Sequence, residues 1–186
     1  SLTVGSTALT ARLQRPLSAA KVTAGHMRIG LGYDIHRTGE GDHVWLGGVL
    51  IAAPFSLIGH SDADVLLHAI TDAILGAIAD YDIGHHFPPS DESNRGRPSA
   101  DFLRFALERM QNEGYAITNI DCNIICELPR IAPVREEIRK KLAELMGVSV
   151  KQISVKGRTN EKVDAAGEGR AVICQAAVLL TASGEN

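Results

Sequence analysis

The sequence has no run of apolar residues long enough to cross a membrane. No stretch approaches the roughly 18 consecutive apolar residues of a transmembrane helix. An excess of one charge is also lacking, since 19 basic residues stand against 22 acidic ones for a net charge of -3. Aromatic residues make up 4% of the chain and do not alternate with basic ones. These absences argue against a membrane protein and against a nucleic-acid partner.

Cysteine is scarce and irregularly spaced. The chain has only Cys122, Cys126 and Cys174, an odd number with no CxxC pair. All three lie in apolar, strand-like segments. This pattern predicts buried, reduced thiols, as expected in a reducing compartment.

The first 26 residues differ from the rest of the chain. They are rich in Ser, Thr and Ala, and the first acidic residue of the whole sequence is Asp34. Such a composition is typical of a transit peptide, and it also suits a vector-derived segment or an upstream extension. We therefore expect residues 1–26 to be a leader and a single domain to cover 27–183.

Hydrophobic patterning and turn signals predict the element order β-β-α-α-β-α-β-β. Strands are expected at 28–35, 43–51, 116–127, 152–158 and 170–180, with the first two forming a hairpin. Helices are expected at 62–79, 100–113 and 133–147, with Ser61 as the N-cap of the first and a loop at 82–99. The predicted fold class is α/β (α+β), with one mixed β-sheet and helices packed on one face.

A carboxylate and an imidazole share one face of the first predicted strand. In "RIGLGYDIHR", Asp34 and His36 are two residues apart, so their side chains point the same way. His68 lies in the middle of the first helix and is either a core residue or a third ligand. Asp, His and His would hold zinc and leave a fourth position open. Asp64 and Asp72, four residues either side of His68, could orient its second nitrogen or simply be capping or exposed acids.

Two further stretches suit phosphate. His60 and Ser61 come just before the first helix, where backbone N–H groups form an anion site. The segment "VKGRTNEK" (155–162) is either a solvated turn or a phosphate loop. In the second interpretation its cations and Thr159 would hold phosphate, while Glu161 would hold a divalent ion.

Several motifs together resemble the 2-C-methyl-D-erythritol 2,4-cyclodiphosphate synthase family. They are "RIGLGYDIHR", "GHSDADVLLHAITDAILGA", "DIGHHFP", "GYAITNIDCNIICELPRIAP" and "VKGRTNEKVD", and the resemblance covers about 27–181. It implies a phosphorus-oxygen lyase of the non-mevalonate isoprenoid pathway. That enzyme cyclises 4-diphosphocytidyl-2-C-methyl-D-erythritol 2-phosphate and releases CMP. The resemblance also implies a homotrimer with active sites at the subunit interfaces.

The same resemblance implies a role for each matching residue. Zn²⁺, or a similar divalent metal, would be held by Asp34, His36 and His68, and Mg²⁺ or Mn²⁺ by Glu161. The implied catalytic residues are Asp82, Thr159 and Glu161. The residues implied to contact the cytidine diphosphate substrate are His60, Ser61, Asp82, Ile83, Gly84, Phe87, Cys126, Pro129, Arg130, Ile131, Ala132 and Thr159.

One segment departs from the pattern of many bacterial members, which read "GFTGRGEG". Here "EKVDAAGEGRAV" (161–172) places Glu168 before Arg170, as in plant plastid enzymes. This order leaves open whether a central trimer cavity binds an isoprenoid diphosphate. The expected location is the bacterial cytoplasm, or the plastid stroma if the leader is a transit peptide.

The residues alone also suit two other classes of protein. A zinc-dependent phosphohydrolase would use the same ligands but would give a linear product. A non-catalytic nucleotide-binding or scaffold protein would bind cytidine nucleotides without turnover, although structural zinc sites are usually closed.

Overall fold

The computed structural model describes residues 26–184, so all of the predicted leader except His26 lies outside the described residues. The strands are β1 (Met27–Gly39), β2 (His43–Leu46), β3 (Val49–Ala52), β4 (Ser56–Ile58), β5 (Tyr115–Ile125), β6 (Ile153–Arg158) and β7 (Ala171–Ala182). The α-helices are α1 (Val65–Ala77), α2 (Ile83–His86), α3 (Ser99–Asn112), α4 (Arg135–Met146) and α5 (Asp164–Gly167). Short 3-10 helices cover Glu92–Asn94 and Val150–Gln152.

The main sheet has five strands in the order β4-β1-β7-β5-β6. Strand β1 pairs antiparallel with both β4 and β7, and β7 pairs antiparallel with β5. Strands β5 and β6 are parallel, with α4 in the connection between them, as parallel neighbours require. The predicted mixed sheet with helices is therefore confirmed.

The prediction of one strand at 43–51, paired with 28–35, is wrong. Gly47 and Gly48 have φ values of 62° and 78°, so they form a tight turn that splits this segment into β2 and β3. These two strands pair only with each other and make a separate two-stranded sheet. The missed signal was the Gly-Gly dipeptide, which favours a two-residue hairpin turn.

The start of α1 also differs from the prediction. The helix begins at Val65, and its N-cap is Asp64 instead of Ser61. The buried Asp64 carboxylate accepts hydrogen bonds from the backbone N–H groups of Leu67 (3.0 Å), Gly47 (2.9 Å) and Gly48 (2.7 Å). Burial raises the pKa of this carboxyl group. Asp64 therefore ties the hairpin turn to the first turn of the helix and does not lie in the site.

Two glycines allow α1 to lie against the sheet unusually closely. A Cβ atom added at Gly32 would lie 1.7 Å from the carbonyl oxygen of Ala69, and one at Gly30 would lie 1.8 Å from that of Ala73. Any other residue type would therefore clash with the helix backbone. The side chains that follow on the same face of β1 are Asp34 and His36, so this contact sets their distance from the helix.

The opposite face of the sheet is left uncovered by the described residues. On β1 the exposed fractions are 73% for Ile29, 77% for Leu31, 54% for Tyr33 and 45% for Ile35. These side chains follow one another along one strand, so they form a continuous apolar stripe. An exposed stripe of this kind is typical of a surface that binds another protein chain.

The three cysteines are free and buried, as predicted. Burial raises the pKa values of Cys122 and Cys126 to about 12, and it raises that of Cys174 well above its usual range. Thiols in this environment are not ionised at neutral pH. Among residues 26–184, no helix has the length and apolar character needed to cross a membrane.

Candidate metal centre and adjoining cleft

Strand β1 and helix α1 bring the three predicted metal ligands together. The Oδ2 atom of Asp34 lies 3.0 Å from Nδ1 of His36 and 3.0 Å from Nδ1 of His68. One potential ligand atom from each residue lies within 4.8 Å of the other two. The two imidazole rings are 5.2 Å apart between centroids. Two residues of a strand and one of a helix thus converge on a single point.

The chemistry of this cluster fits a divalent metal. His36 Nδ1 is buried and has no assigned hydrogen-bond partner among the described residues, although Asp34 Oδ2 lies 3.0 Å away. Burial raises the pKa of Asp34, but its contacts with His36 and then His68 outweigh this effect and leave it below its usual value. The cluster therefore presents an ionised carboxylate and two imidazole nitrogens, a ligand set that suits zinc.

The second nitrogen of His68 has different partners from those considered in the sequence. Neither Asp64 nor Asp72 is hydrogen-bonded to it; Asp72 instead accepts from the backbone N–H of Ile83 at 2.9 Å. His68 Nε2 lies 2.8 Å from Oγ of Ser99 and 3.2 Å from Oγ of Ser61. Ser99 was missed because it is 31 residues away in sequence, and only the tertiary fold brings it to His68.

A cleft of about 620 Å³ adjoins the cluster, and His36 and His68 form part of its lining. It includes five of the predicted substrate contacts: His60, Ser61, Ile83, Gly84 and Phe87. The segment predicted as a loop at 82–99 forms part of its wall, although it contains α2 and the 3-10 helix Glu92–Asn94. Asp82 caps α2 by accepting from the N–H of His85 at 2.8 Å, so its carboxylate lies beside the cleft-lining Ile83.

The remaining predicted substrate contacts lie in a second, separate cavity of about 360 Å³. Its lining includes Cys126, Pro129, Arg130, Ile131, Ala132 and Thr159. The loop after β5 and the end of β6 form it, joined by a hydrogen bond from the N–H of Cys126 to the carbonyl of Arg158 (2.9 Å). Within one chain, the structure does not bring these residues into the metal cleft.

Glu161 is not one of the residues grouped in the three-ligand cluster, and its side chain lies next to Thr159. Its Oε1 atom is 3.5 Å from Oγ1 of Thr159, and its backbone has a φ of 52°. In the 155–162 segment, Lys156 forms an ion pair with Asp121, with 2.7 Å between Nζ and Oδ2, and so already has an anionic partner within the chain. In the following segment Glu168 accepts from Nε of Arg170 at 2.7 Å.

The fold and the site define a class of protein: a mixed α/β domain in which a strand and a helix bring together three residues that could hold a metal, next to a cleft. The model of the YgbB family matches residues 27–181. The chain therefore belongs to the YgbB family.

Curated and solved relatives agree with this assignment. The chain is 51% identical over 156 residues to a Marinobacter nauticus protein named 2-C-methyl-D-erythritol 2,4-cyclodiphosphate synthase, covering 84% of this chain and 98% of that one. A Cereibacter sphaeroides protein of the same name is 50% identical over 155 residues, covering 82% and 98%. A solved structure titled "IspF (Plasmodium falciparum) CDP complex" has a TM-score of 0.77 and 38% identity, covering 87% of this chain and all of that one.

Proposed function

We propose that this protein is a 2-C-methyl-D-erythritol 2,4-cyclodiphosphate synthase. It converts 4-diphosphocytidyl-2-C-methyl-D-erythritol 2-phosphate into the 2,4-cyclodiphosphate and CMP, in the non-mevalonate isoprenoid pathway. The observation that carries the proposal is the convergence of Asp34, His36 and His68 beside a cleft. It occurs in a chain that is half identical to synthases over almost their whole length.

The metal ligands are proposed residue by residue. Asp34, His36 and His68 would hold Zn²⁺ or a similar divalent ion, and Glu161 would hold Mg²⁺ or Mn²⁺. Such ions supply positive charge that offsets the repulsion between the reacting phosphates. Because the ionised Asp34 carboxylate balances part of that charge, it would leave the cluster net positive towards the cleft.

The other residues bind and orient the substrate. His60 and Ser61 border the cleft beside the metal cluster, where they would contact a phosphate. Ile83, Gly84 and Phe87 would cover the methylerythritol part and exclude water, and Asp82 would accept from its hydroxyl groups. A substrate phosphate is already deprotonated at neutral pH, so it needs no general base to attack the second phosphorus. The protein's task is therefore to hold nucleophile and phosphorus in line.

A complete site would need a second copy of the chain. The 126–132 loop and Thr159, proposed to bind the cytosine end and a phosphate, are in a different cavity from the metal cluster. The exposed apolar stripe on β1 offers a surface on which further copies could associate. We propose a homotrimer in which the metal cleft of one subunit faces the 126–132 loop of a neighbour.

Location and domain organisation complete the proposal. We propose a single catalytic domain over 27–183, consistent with the family match to 27–181. The two curated relatives named above come from bacteria, which favours the bacterial cytoplasm over the plastid stroma.

A turnover experiment tests the function. The purified protein would be incubated with Zn²⁺, Mg²⁺ and the diphosphocytidyl substrate, while CMP release and the phosphorus NMR spectrum are followed. We expect CMP and one cyclic diphosphate in equal amounts. CMP with a linear phosphate would instead identify a phosphohydrolase, and tight binding of cytidine diphosphate without turnover would identify a binding protein. Either result would overturn the proposed function.

A further inference from the structure

We propose that Ser99, held by Asp62, is a positioning residue that keeps a proton on Nε2 of His68 and so directs Nδ1 to the metal. The observation is a chain of three polar groups behind the cluster. Oγ of Ser99 donates to Oδ1 of Asp62 and lies 2.8 Å from Nε2 of His68. Ser99 is fully buried, so water does not compete for these contacts. The inference rests on the metal-binding role proposed above for His68.

The direction of the hydrogen bonds follows from counting protons. Asp62 accepts from three donors: the backbone N–H of Asp64 (3.1 Å), the backbone N–H of Ser99 (3.0 Å) and the Ser99 hydroxyl. Both carboxylate oxygens are therefore acceptors, and the single hydroxyl proton of Ser99 points to Asp62. Towards His68, the Ser99 oxygen then offers only a lone pair. At 2.8 Å this contact is favourable only if His68 Nε2 carries a proton.

Ser61 does not impose the same direction. Its oxygen lies 3.2 Å from His68 Nε2 and 3.4 Å from Oγ of Ser99, and it accepts from the backbone N–H of Ala63 at 3.2 Å. Its hydroxyl proton can therefore turn towards Ser99, where it fills the remaining lone pair. Among residues 26–184, no carboxylate is hydrogen-bonded to the Ser61 hydroxyl, so this serine can act as donor or acceptor towards His68.

The consequence concerns the nitrogen on the other side of the ring. When Nε2 of a neutral imidazole carries the proton, Nδ1 has the free lone pair. Nδ1 lies on the side of the cluster, 3.0 Å from Asp34 Oδ2. An ionised carboxylate only accepts, so without a metal this contact needs a proton on Nδ1, which a bound cation would replace. With the cation in place, Ser99 accepts from Nε2–H and holds His68 in the form that binds a metal through Nδ1. Groups that orient ligand histidines in this way typically change metal affinity 10- to 100-fold when they are removed.

A purely structural role for Ser99 is the rival explanation. Its backbone N–H bonds to Asp62 Oδ2 and so ties the start of α3 to the loop before α1. This backbone hydrogen bond does not need the hydroxyl group. Ser99→Ala therefore removes the side-chain hydrogen bonds to Asp62 and His68 but keeps the backbone bond to Asp62. The two explanations can therefore be separated by substitution.

The experiment compares wild type, Ser99→Ala and Ser61→Ala as full-length proteins. Zn²⁺ affinity is measured by competition with a chelator, folding by the melting temperature, and the histidine proton by NMR of zinc-bound protein labelled with ¹⁵N-histidine. We expect Ser99→Ala to weaken Zn²⁺ binding about 10- to 100-fold. Ser61→Ala, the matched control at the same nitrogen, should stay within about threefold of wild type, since its 3.2 Å contact is the weaker one.

The NMR measurement responds to the hydrogen bond between Ser99 Oγ and His68 Nε2 and not to general packing. In the zinc-bound wild type we expect a proton on His68 Nε2 that exchanges slowly because Ser99 accepts from it, and rapid exchange of that proton in Ser99→Ala. A zinc-bound wild type whose His68 Nε2 carries no proton, or a proton that exchanges as fast as in Ser99→Ala, would overturn the inference. Equal Zn²⁺ affinity in wild type and Ser99→Ala would also overturn it. Failure of the wild type to bind Zn²⁺ would instead overturn the metal centre of the proposed function.

Discussion

The substitution Gly32→Ala tests how the metal cluster is built. The added Cβ atom would lie 1.7 Å from the carbonyl oxygen of Ala69, the residue that follows His68 on α1. Cβ atoms essentially never come closer than 3.0 Å to such an atom, so the helix has to retreat by roughly 1 Å. The same movement carries His68 away from Asp34.

The size of the effect follows from the rigidity of the contact. The clashing atom belongs to the backbone, so no side-chain rotation can relieve it, and the core around α1 is close-packed. Overpacking usually costs about 1–3 kcal/mol, and we expect about 3 kcal/mol here. For a domain of this size, that lowers the melting temperature by roughly 6–12 °C. Zn²⁺ affinity should fall at least about tenfold because the ligand geometry is disturbed.

Gly76, a glycine of helix α1 itself, provides the control. A Cβ at the exposed Gly76 would have one neighbour within 4 Å, the carbonyl oxygen of Leu31 at 3.9 Å. Gly76→Ala should therefore raise stability by about 0.5–1 kcal/mol through helix propensity and leave Zn²⁺ binding unchanged. Thermal unfolding and chelator competition measure both variants. A Gly32→Ala protein with wild-type stability and affinity would refute the close-contact argument.

Four further predictions follow from named contacts. His68→Ala should abolish Zn²⁺ binding and turnover while the protein stays folded; normal zinc content, measured by atomic emission, would contradict the ligand assignment. Glu161→Gln should keep zinc but raise the Mg²⁺ concentration needed for half-maximal turnover, because one anionic ligand is lost; an unchanged Mg²⁺ titration would count against that role. The three buried thiols should resist a disulfide reagent at pH 8 and react only after unfolding, and rapid labelling of the native protein would disprove their burial. The hydrogen bond from Arg109 lowers the pKa of Asp80 below 3.8, so its stabilisation is present above that pH and is lost as the pH falls below it. Arg109→Gln should therefore lower the urea midpoint of unfolding slightly at pH 7 and leave it almost unchanged at pH 2, and an equal decrease at both pH values would refute the pairing.

Two members of the three-residue cluster are predictable because their signal is local. Asp34 and His36 are two residues apart on a strand, which places them on one face whatever the rest of the chain does. A histidine in an apolar helix also suits a core position. The assignment of His68 as a ligand rested first on the Asp34 and His36 pair and then on the family resemblance, and the structure brings it to 3.0 Å from Asp34.

The contacts that the sequence does not predict depend on distant parts of the chain. Ser99 approaches His68 only because α3 begins beside the loop that precedes α1. In the sequence, Asp64 has the pattern of an acidic residue at the start of a helix. In the structure, its carboxylate accepts hydrogen bonds from the Gly47–Gly48 turn as well as from the helix. The segment 43–51 was predicted as one strand because its apolar run is continuous. The Gly47–Gly48 turn outweighs that pattern and divides the segment into β2 and β3.

The most direct test of the central claim is a crystal structure with Zn²⁺ and cytidine diphosphate, using anomalous scattering at the zinc absorption edge. The account predicts a peak bound by Asp34, His36 and His68 at the usual zinc distances of about 2.0–2.2 Å, with the nucleotide diphosphate in the adjoining cleft. A zinc peak elsewhere, or a nucleotide bound away from an empty three-residue cluster, would contradict it.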